Sequence, residues 1–495
     1  MIDKKDFGGT VGVIGSGRSI YVASLFILNI GLARSLGTEG FGSFQQVFIF
    51  SVFFMIFSIG IPETMYYFLP RLNDEERSEF ISQTLYLLTV SGIFVALFLW
   101  FGASVFAKIQ NNPSLEQSLK IFGIYGAFTV ASSFSDPVFI IFKRVKYLFI
   151  LSALHGLFFI VLTVWQYITE FSILILFVAM CLFGLFKLIL ALTFLIKIRS
   201  DTGKIHFLHF KNTVLLQLRF ALPIALSNTI DIISRWLDKF VISFFLGTES
   251  LGLFSVGAIE IPFVSVFVAS VYSVMSPVLN SLHHKNDYAG FIKLITKTLK
   301  FTAKIVWPIC AYLFIFADHL IPLVFTNSFK GSVEPFRIYL LLMPLRIFLF
   351  GVIIIALGQP RAVFWAALGS LIVNIFLNIF LVIQIGFLGP AIATVVSTYL
   401  QVIWLITFIL INLRVKIYEL IPFRVLFDIG LTSLLSVMIA FTLTRAFEND
   451  LKVVFTSLAI FLVSYIFLGS QAGLFRILSI TNLAKGNYFG KKDKN

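Results

Sequence analysis

The chain has 495 residues, of which 59% are hydrophobic and 13% charged, and its mean hydropathy is +0.98. This composition excludes a soluble protein, because even large soluble folds keep a polar and charged exterior. The net charge of +14 favours the positive cytoplasmic loops of a membrane protein over nucleic-acid binding.

Continuous apolar runs predict an all-α polytopic membrane protein with about fourteen transmembrane helices. Several runs exceed the roughly 18 to 20 residues that a spanning helix requires, and none alternates as the strands of a β-barrel would. In chain order, the predicted spans are residues 11–33, 43–69, 81–106, 121–142, 148–168, 171–196, 216–246, 253–279, 301–325, 338–357, 362–385, 391–413, 425–447 and 453–477. The predicted domains are two pseudo-symmetric six-helix bundles at 1–200 and 201–415, two additional transmembrane helices at 416–480 and a basic cytoplasmic tail at 481–495.

The charges of the loops predict the orientation of these helices. Lys and Arg are far more numerous on the loops that share a side with the N-terminus, such as 143–146 and 197–211, than on the opposite loops. By the positive-inside rule both termini are expected in the cytoplasm, which requires an even number of spans. The first apolar run is too long for a signal peptide and contains Arg18, so we expect a retained first span.

A repeat predicts that the two bundles are related to each other. The sequence LGTESLGLF at residues 246–254 recurs as LGTEGFGSF at residues 36–44. The helix before the second copy carries Asn228, Asp231, Arg235 and Asp238 at spacings of three, four and three, so these side chains share one helical face. A charged stripe inside a membrane helix requires a wet cavity or a partner.

Charged residues inside the predicted spans are the main functional signal. A basic or aspartate side chain that faces lipid at a helix centre costs roughly 2.5 to 3.5 kcal/mol, so most must line a polar interior or pair with each other. Asp231 and Arg235 are four residues apart and can neutralise one another, whereas Lys187 and Lys304 can snorkel. An arginine deep in a span keeps its charge and binds phosphate with two parallel hydrogen bonds. The predicted substrate-binding residues are Arg18, Arg235, Arg346, Asn228 and Asp231, and the candidate counter-ions or ion-coupling residues are Glu63, Asp136 and Glu260.

Enzyme motifs are not convincing, and we expect a protein that is not an enzyme and has neither a cofactor nor a metal. The glycine-rich segment 15–19 lacks the lysine and the preceding strand of a phosphate-binding loop. His206 and His209 have no third ligand nearby, which argues against zinc. Cys181 and Cys310 lie in apolar runs and are interpreted as small core residues.

Two segments carry a resemblance to a known family. The sequence LGTESLGLFSVG at 246–257, which closes the helix that holds Asp238, resembles the polysaccharide flippases of the multidrug/oligosaccharidyl-lipid/polysaccharide exporter superfamily. The sequence GFLGPAIAT at 386–394 resembles the glycine-alanine turn of the same family. The resemblance covers most of residues 10–415 and implies two six-helix bundles in alternating access. It further implies that Arg18 corresponds by position to a cavity arginine of the lipid II flippase branch, whereas Arg235 and Arg346 have no motif match.

The predicted function follows from that resemblance. It implies a bacterial inner-membrane flippase for polyprenyl-pyrophosphate-linked oligosaccharide repeat units of O-antigen or capsule. Candidate partners are this lipid-linked oligosaccharide, membrane lipids, and the polysaccharide polymerase and chain-length machinery, without nucleic acid. A lipid II flippase or a cation-coupled drug exporter of the same superfamily stays open as an alternative. A membrane glycosyltransferase or polymerase is the alternative from another class.

Overall fold

A computed structural model describes residues 4–58, 60–199, 210–259, 261–348 and 350–474 of the chain. Every regular element among these residues is a helix, which confirms the predicted all-α class. Glu260, the histidine pair at 206 and 209 and the predicted basic tail at 481–495 lie outside the described residues.

Among the described residues, most helices follow one another with short connections. Brief 3₁₀ segments lie at Leu69–Arg71, Ser132–Phe134, Asn327–Ser332 and Gly386–Leu388. The α-helices are α1 Lys4–Ile49, α2 Val52–Ser58, α3 Ile61–Phe68, α4 Asp74–Ile109, α5 Leu115–Ala131, α6 Ser135–Ile141, α7 Val145–Thr169, α8 Ile173–Arg199, α9 Phe210–Gly257, α10 Pro262–His284, α11 Tyr288–Ile315, α12 Ala317–Phe325, α13 Val333–Leu340, α14 Met343–Arg346, α15 Phe350–Ala356, α16 Pro360–Ile385, α17 Gly389–Leu413, α18 Ile417–Leu420, α19 Phe423–Thr444 and α20 Asp450–Gln471.

These helices make the chain a polytopic membrane protein. The described residues contain 11 helical regions long and apolar enough to cross a membrane, or 12 if the bent pair Asn327–Leu340 and Met343–Ala356 forms one span. Two of these regions, Gly15–Arg71 and Pro360–Leu413, have 57 and 54 residues, and each covers two of the predicted spans. About 20 residues cross the hydrocarbon core, so each region has the length for two crossings. The count of fourteen stays a prediction.

The chain divides into two compact units that are each built from separate stretches of sequence. The first comprises Met1–Phe267, Val324–Tyr339 and Pro360–Leu405. The second comprises Val268–Leu323, Leu340–Gln359 and Ile406–Asn495. The domain boundaries expected at residues 200 and 415 stay a prediction.

Each unit has an apolar core of its own. In the first unit, Phe254 at the end of α9 packs with Ile49, Ile242, Leu251 and Ala391. In the second unit, Tyr312 of α11 and Phe316, directly after that helix, pack against the hairpin of α19 and α20. The hairpin contributes Val437, Phe461 and Tyr465. The two additional helices at the end of the chain are therefore part of a packed core and not separate appendages.

The repeated sequence takes the same backbone conformation in both copies, within the first unit. Gly37 interrupts α1 with φ 68° and ψ −172°, and Gly247 interrupts α9 with φ 82° and ψ −171°. A side chain at such a positive φ is strained, which explains a glycine at both positions. The two copies also touch, since a Cβ on Gly42 would lie 1.8 Å from the Thr248 carbonyl oxygen and one on Gly252 would lie 2.0 Å from that of Thr38.

A buried amide cluster joins α9 to α3 and α4 in the first unit. The Gln217 side-chain amide donates to Thr64 Oγ1 at 2.9 Å and to Thr84 Oγ1 at 3.1 Å. Its carbonyl oxygen accepts from Gln83 Nε2 at 3.1 Å. All four side chains are buried, so the hydrogen bonds replace water that the amides and hydroxyls would otherwise require.

A second amide cluster lies farther along the same two helices. Gln46 Nε2 donates to Ser243 Oγ at 2.9 Å, the Ser243 hydroxyl donates to Gln110 Oε1, and Asn112 Nδ2 donates to Gln46 Oε1 at 2.6 Å. At a rise of 1.5 Å per residue, the clusters are about 40 Å apart along α4 and α9. That separation matches a bilayer with its headgroup regions, roughly 40 to 45 Å, so we place one cluster at each membrane face.

Candidate functional site

An ion pair lies inside the membrane-spanning part of the first unit. Arg18 on α1 and Asp136 on α6 approach to 3.2 Å between Nη2 and Oδ2, and their side chains are 59% and 46% exposed. The short helix α6 follows the 3₁₀ segment Ser132–Phe134 and carries Asp136 in its own first turn. Because a charged side chain in contact with lipid is costly, two half-exposed charges at this depth indicate that they face a polar space.

Further ionisable groups surround this pair. Tyr66, on α3, lies within electrostatic reach of Asp136, Arg18 and Glu63. Lys187, on α8, lies within electrostatic reach of Asp136. The structure therefore brings together three of the predicted residues, Arg18, Glu63 and Asp136, from three different helices. The group formed by Arg18, Glu63, Tyr66, Asp136 and Lys187 is called the α1–α6 charge cluster below.

A buried histidine on α7 lies near the charge cluster. His155 is 6% exposed, and its ring packs at tilted angles against Tyr21, Phe159 and Phe183 with centroid distances of 4.6 to 5.0 Å. Its Nε2 has no hydrogen-bond partner among the described residues. Lys187 lies within electrostatic reach of it. The histidine is therefore enclosed by aromatic rings beside Lys187 of the charge cluster.

The remaining predicted substrate residues lie elsewhere on the described helices. Asn228 and Arg235 are exposed on α9, and the side chain of Asp231 lies outside the described part of the structure. Arg346 ends α14 in the second unit, where its backbone carbonyl accepts from the Tyr272 hydroxyl at 3.1 Å. The assignment of Arg18, Arg235 and Arg346 to substrate binding stays a prediction.

A second polar site surrounds a carboxylate that sequence reasoning noted but did not assign to a function. Asp238 on α9 is 3% exposed. Its Oδ1 accepts from Asn378 Nδ2 at 3.0 Å, and its Oδ2 accepts from Thr394 Oγ1 at 2.5 Å and from the Tyr339 hydroxyl. These partners come from α13, α16 and α17, all within the first unit. These three donors favour the ionised form of the carboxylate and offset part of the cost of its burial.

The site extends along α16 through a pair of asparagines. Asn374 Nδ2 donates to Thr394 Oγ1 at 3.0 Å and to Ser397 Oγ at 3.1 Å. The side-chain oxygens of Asn374 and Asn378 are buried and have no donor among the described residues. Buried amide oxygens next to a carboxylate are the ligands that hard cations take in proteins. The Asp238 site is therefore suited to hold a hard cation or a proton.

The sequence held a signal for this second site. Asn374 and Asn378 are four residues apart in an otherwise apolar helix, so they share one face, and Thr394 ends the GFLGPAIAT segment. Buried amides in an apolar span require partners. The pairing with Asp238 was not predictable, because it joins residues up to 156 positions apart in the chain.

Comparison with known proteins identifies the family. The model of a family described as "Polysaccharide biosynthesis protein" matches residues 31–334, more than half of the chain. The chain belongs to this family. Membership confirms the resemblance that the two sequence segments indicated, and the matched range includes Glu63, Asp136 and Asp238.

One relative of this polysaccharide biosynthesis protein comes from the archaeon Haloferax volcanii. Its name is "Probable low-salt glycan biosynthesis flippase Agl15", and the two sequences are 24% identical over 167 residues. The matched segment covers 33% of this chain and 35% of the archaeal protein. The chain thus matches about a third of that relative's length.

Solved structures share the fold. "Lipid II flippase MurJ, inward closed conformation" superposes with a TM-score of 0.69 at 17% identity, covering 91% of this chain and 98% of that one. An inward-facing multidrug resistance MATE family transporter of the MOP superfamily gives 0.61 at 14% identity, covering 79% and 95%. A MOP superfamily transporter from Pyrococcus furiosus gives 0.55 at 14% identity, covering 82% and 96%. At these identities the likeness shows the fold alone.

Proposed function

We propose that the protein is a flippase that translocates polyprenyl-pyrophosphate-linked oligosaccharide repeat units, of O-antigen or capsule type, across the bacterial cytoplasmic membrane. The observation that carries this proposal is the accessible Arg18–Asp136 pair at 3.2 Å inside membrane-spanning helices. Membership of a polysaccharide biosynthesis family supports it, as does the name of the archaeal relative.

The physical problem is the passage of sugars and a diphosphate through hydrocarbon. Each unpaired polar group in hydrocarbon costs several kcal/mol, and a charged diphosphate costs far more. A polar space that is open to one side at a time removes this cost, while the polyprenyl tail stays in the bilayer. The half-exposed charges of the α1–α6 charge cluster supply such a space in the first unit.

Each predicted substrate residue has a role in this proposal. Arg18 binds the diphosphate through its planar guanidinium, and Arg235 and Arg346 are proposed as further phosphate contacts. Asn228 and Asp231 are proposed contacts to sugar hydroxyls. The protein binds and moves its substrate without breaking a covalent bond, and it acts beside the polymerase and chain-length machinery as candidate partners.

A coupling ion would enter at the Asp238 site. The Asp238 carboxylate is the proposed ligand, and the buried side-chain oxygens of Asn374 and Asn378 on α16 are further candidates. Glu63, Asp136 and Glu260 stay candidates for ion coupling from the sequence, but Asp136 forms an ion pair with Arg18. We therefore favour Asp238 over Asp136 for ion coupling.

The test is transport by the purified full-length protein in proteoliposomes. A fluorescent polyprenyl-pyrophosphate-linked oligosaccharide is added to vesicles, and its movement between leaflets is followed by quenching from outside. Arg18→Ala should lower the initial rate at least about tenfold, because a charge-assisted bidentate contact is lost. Arg18→Lys should restore only part of the rate, since lysine binds as a point charge.

A control variant and other substrates distinguish the proposed function from the alternative functions. Arg445→Ala removes an exposed arginine at the end of α19 and should leave the rate unchanged. Equal rates in the wild type and Arg18→Ala would overturn the role of Arg18. Preference for lipid II would indicate a lipid II flippase, and movement of organic cations alone would indicate a drug exporter. Sugar transfer from a lipid-linked donor would indicate a glycosyltransferase or polymerase.

A further inference from the structure

The Arg18–Asp136 pair is open to an incoming anion. One guanidinium nitrogen meets one carboxylate oxygen at 3.2 Å, and both side chains are about half exposed, at 59% and 46%. Arginine has five N–H donors in a planar fork, so this single contact leaves most of the fork available. A single-point contact between exposed charges contributes little, whereas a bidentate contact to phosphate is stronger.

The carboxylate and a diphosphate would compete for the same guanidinium. A diphosphate carries more negative charge than one carboxylate, so it repels Asp136 while it attracts Arg18. A displaced Asp136 has a second cation available, because Lys187 on α8 lies within its electrostatic reach. The exchange would therefore leave neither carboxylate nor arginine without a countercharge.

The pair also has a purpose when no substrate is bound. An alternating-access carrier must pass through a state in which its binding space is closed and partly dehydrated. An unpaired guanidinium in that state would be strongly unfavourable. In the empty carrier, Asp136 balances the charge of Arg18. In the substrate-bound carrier, the substrate's phosphate balances it.

We infer that Asp136 is a built-in competitor for the anionic part of the substrate, which holds Arg18 in the empty protein and gives it up when a diphosphate arrives. The inference rests on the proposed function and deepens it. It assigns Asp136 to substrate release and to the return of the empty carrier, and it makes Asp136 a positioning residue for Arg18.

The test is the affinity of purified full-length variants for undecaprenyl diphosphate, measured by intrinsic fluorescence or thermophoresis in detergent. Asp136→Asn keeps the shape of the side chain and removes the competing charge, so the Kd should fall about tenfold. Asp136→Glu keeps the charge and should bind much as the wild type does. A purely structural support of Arg18 gives the opposite sign, since its loss would misplace Arg18 and raise the Kd.

Turnover supplies a second readout. In proteoliposomes, Asp136→Asn should lower KM and lower kcat together, because the substrate binds more tightly and the empty carrier returns more slowly. Asp74→Asn is the matched control, since it breaks the Arg77–Asp74 ion pair of 2.9 Å at a helix start and should change neither constant. Asp136→Ser is the second neutral variant if Asp136→Asn does not fold.

The outcomes separate this inference from the proposed function. No binding of undecaprenyl diphosphate by the wild type would overturn the proposed function itself. Binding by the wild type with an unchanged or higher Kd in Asp136→Asn and Asp136→Ser would overturn the competitor role alone. A lower Kd in both neutral variants, with wild-type behaviour in Asp136→Glu and Asp74→Asn, would support it.

Discussion

Asp238 is a buried carboxylate that accepts hydrogen bonds from three donors. Asp238→Asn removes the charge and places an amide donor against groups that already donate. We expect the free energy of unfolding to fall by about 1 to 3 kcal/mol, the range for losing hydrogen bonds to a charged group. The measurement is the unfolding midpoint of the purified protein in detergent.

The same variant tests whether the Asp238 site binds a cation. A ligand that binds only the folded state raises the unfolding midpoint as its concentration rises. The wild type should gain stability in sodium chloride over choline chloride at equal ionic strength, and Asp238→Asn should not. Asp318→Asn, at an exposed aspartate in the first turn of α12, should keep the sodium response. A sodium response that survives in Asp238→Asn would place the ion elsewhere.

Charged side chains in the spans were predictable from the sequence, but their partners were not. Arg18, Glu63 and Asp136 stand out because a charge in an apolar run is rare. The ion pair between Arg18 and Asp136 joins residues 118 positions apart, and periodicity carries no information about contacts at that range. For the same reason the sequence indicated Asp136 as a candidate counter-ion without naming its partner, and the structure pairs it with Arg18.

At the scale of the elements, the crossing of α1 and α9 depends on glycine. A Cβ at position 252 would lie 2.0 Å from a backbone oxygen, and backbone cannot move aside as a flexible side chain can. Gly252→Ala should destabilise the protein by about 1 to 3 kcal/mol or more, as overpacking does. Lower yield of folded protein and a lower unfolding midpoint in detergent would be the readouts.

A glycine in open surroundings supplies the comparison. Gly369 lies in α16, and a Cβ there would meet nothing within 4 Å. Gly369→Ala should be neutral or stabilising, because alanine favours a helix over glycine by about 1 kcal/mol. If Gly252→Ala and Gly369→Ala behaved alike, the close approach of α1 and α9 would not limit the fold.

The repeat made this crossing partly predictable. Two copies of LGTE at the same place in two helices indicated equivalent turns, and Gly37 and Gly247 do share a positive φ. The direct contact between the copies could not be read from either copy alone. The amide clusters around Gln217 and Gln46 were also missed, because a single Gln or Ser in an apolar span gives no sign of which distant helix it will meet.

At the scale of the whole molecule, the number of membrane crossings decides which loops share a side. The regions Gly15–Arg71 and Pro360–Leu413 have 57 and 54 residues, which is about 80 Å or more if straight. A single tilted span of that length would leave long apolar stretches in water on either side of a core roughly 30 Å thick. Two crossings in each region would bury this surface in lipid. With the bent pair Asn327–Leu340 and Met343–Ala356 counted as one span, they give the predicted fourteen spans.

Single cysteines test this count from outside the cell. In a background without Cys181 and Cys310, Glu39→Cys and Gln384→Cys place exposed thiols near the middle of the two long regions, and Lys146→Cys places one on a predicted cytoplasmic loop. If each long region crosses twice, a membrane-impermeant maleimide should label the first two on intact spheroplasts and the third only after lysis. We expect the loop of Lys146 on the inside because its positive charge follows the positive-inside rule. Labelling of Lys146→Cys on intact spheroplasts would contradict the predicted orientation. Protection of Glu39→Cys or Gln384→Cys until lysis would show that the corresponding long region does not cross twice, and it would contradict the count of fourteen spans.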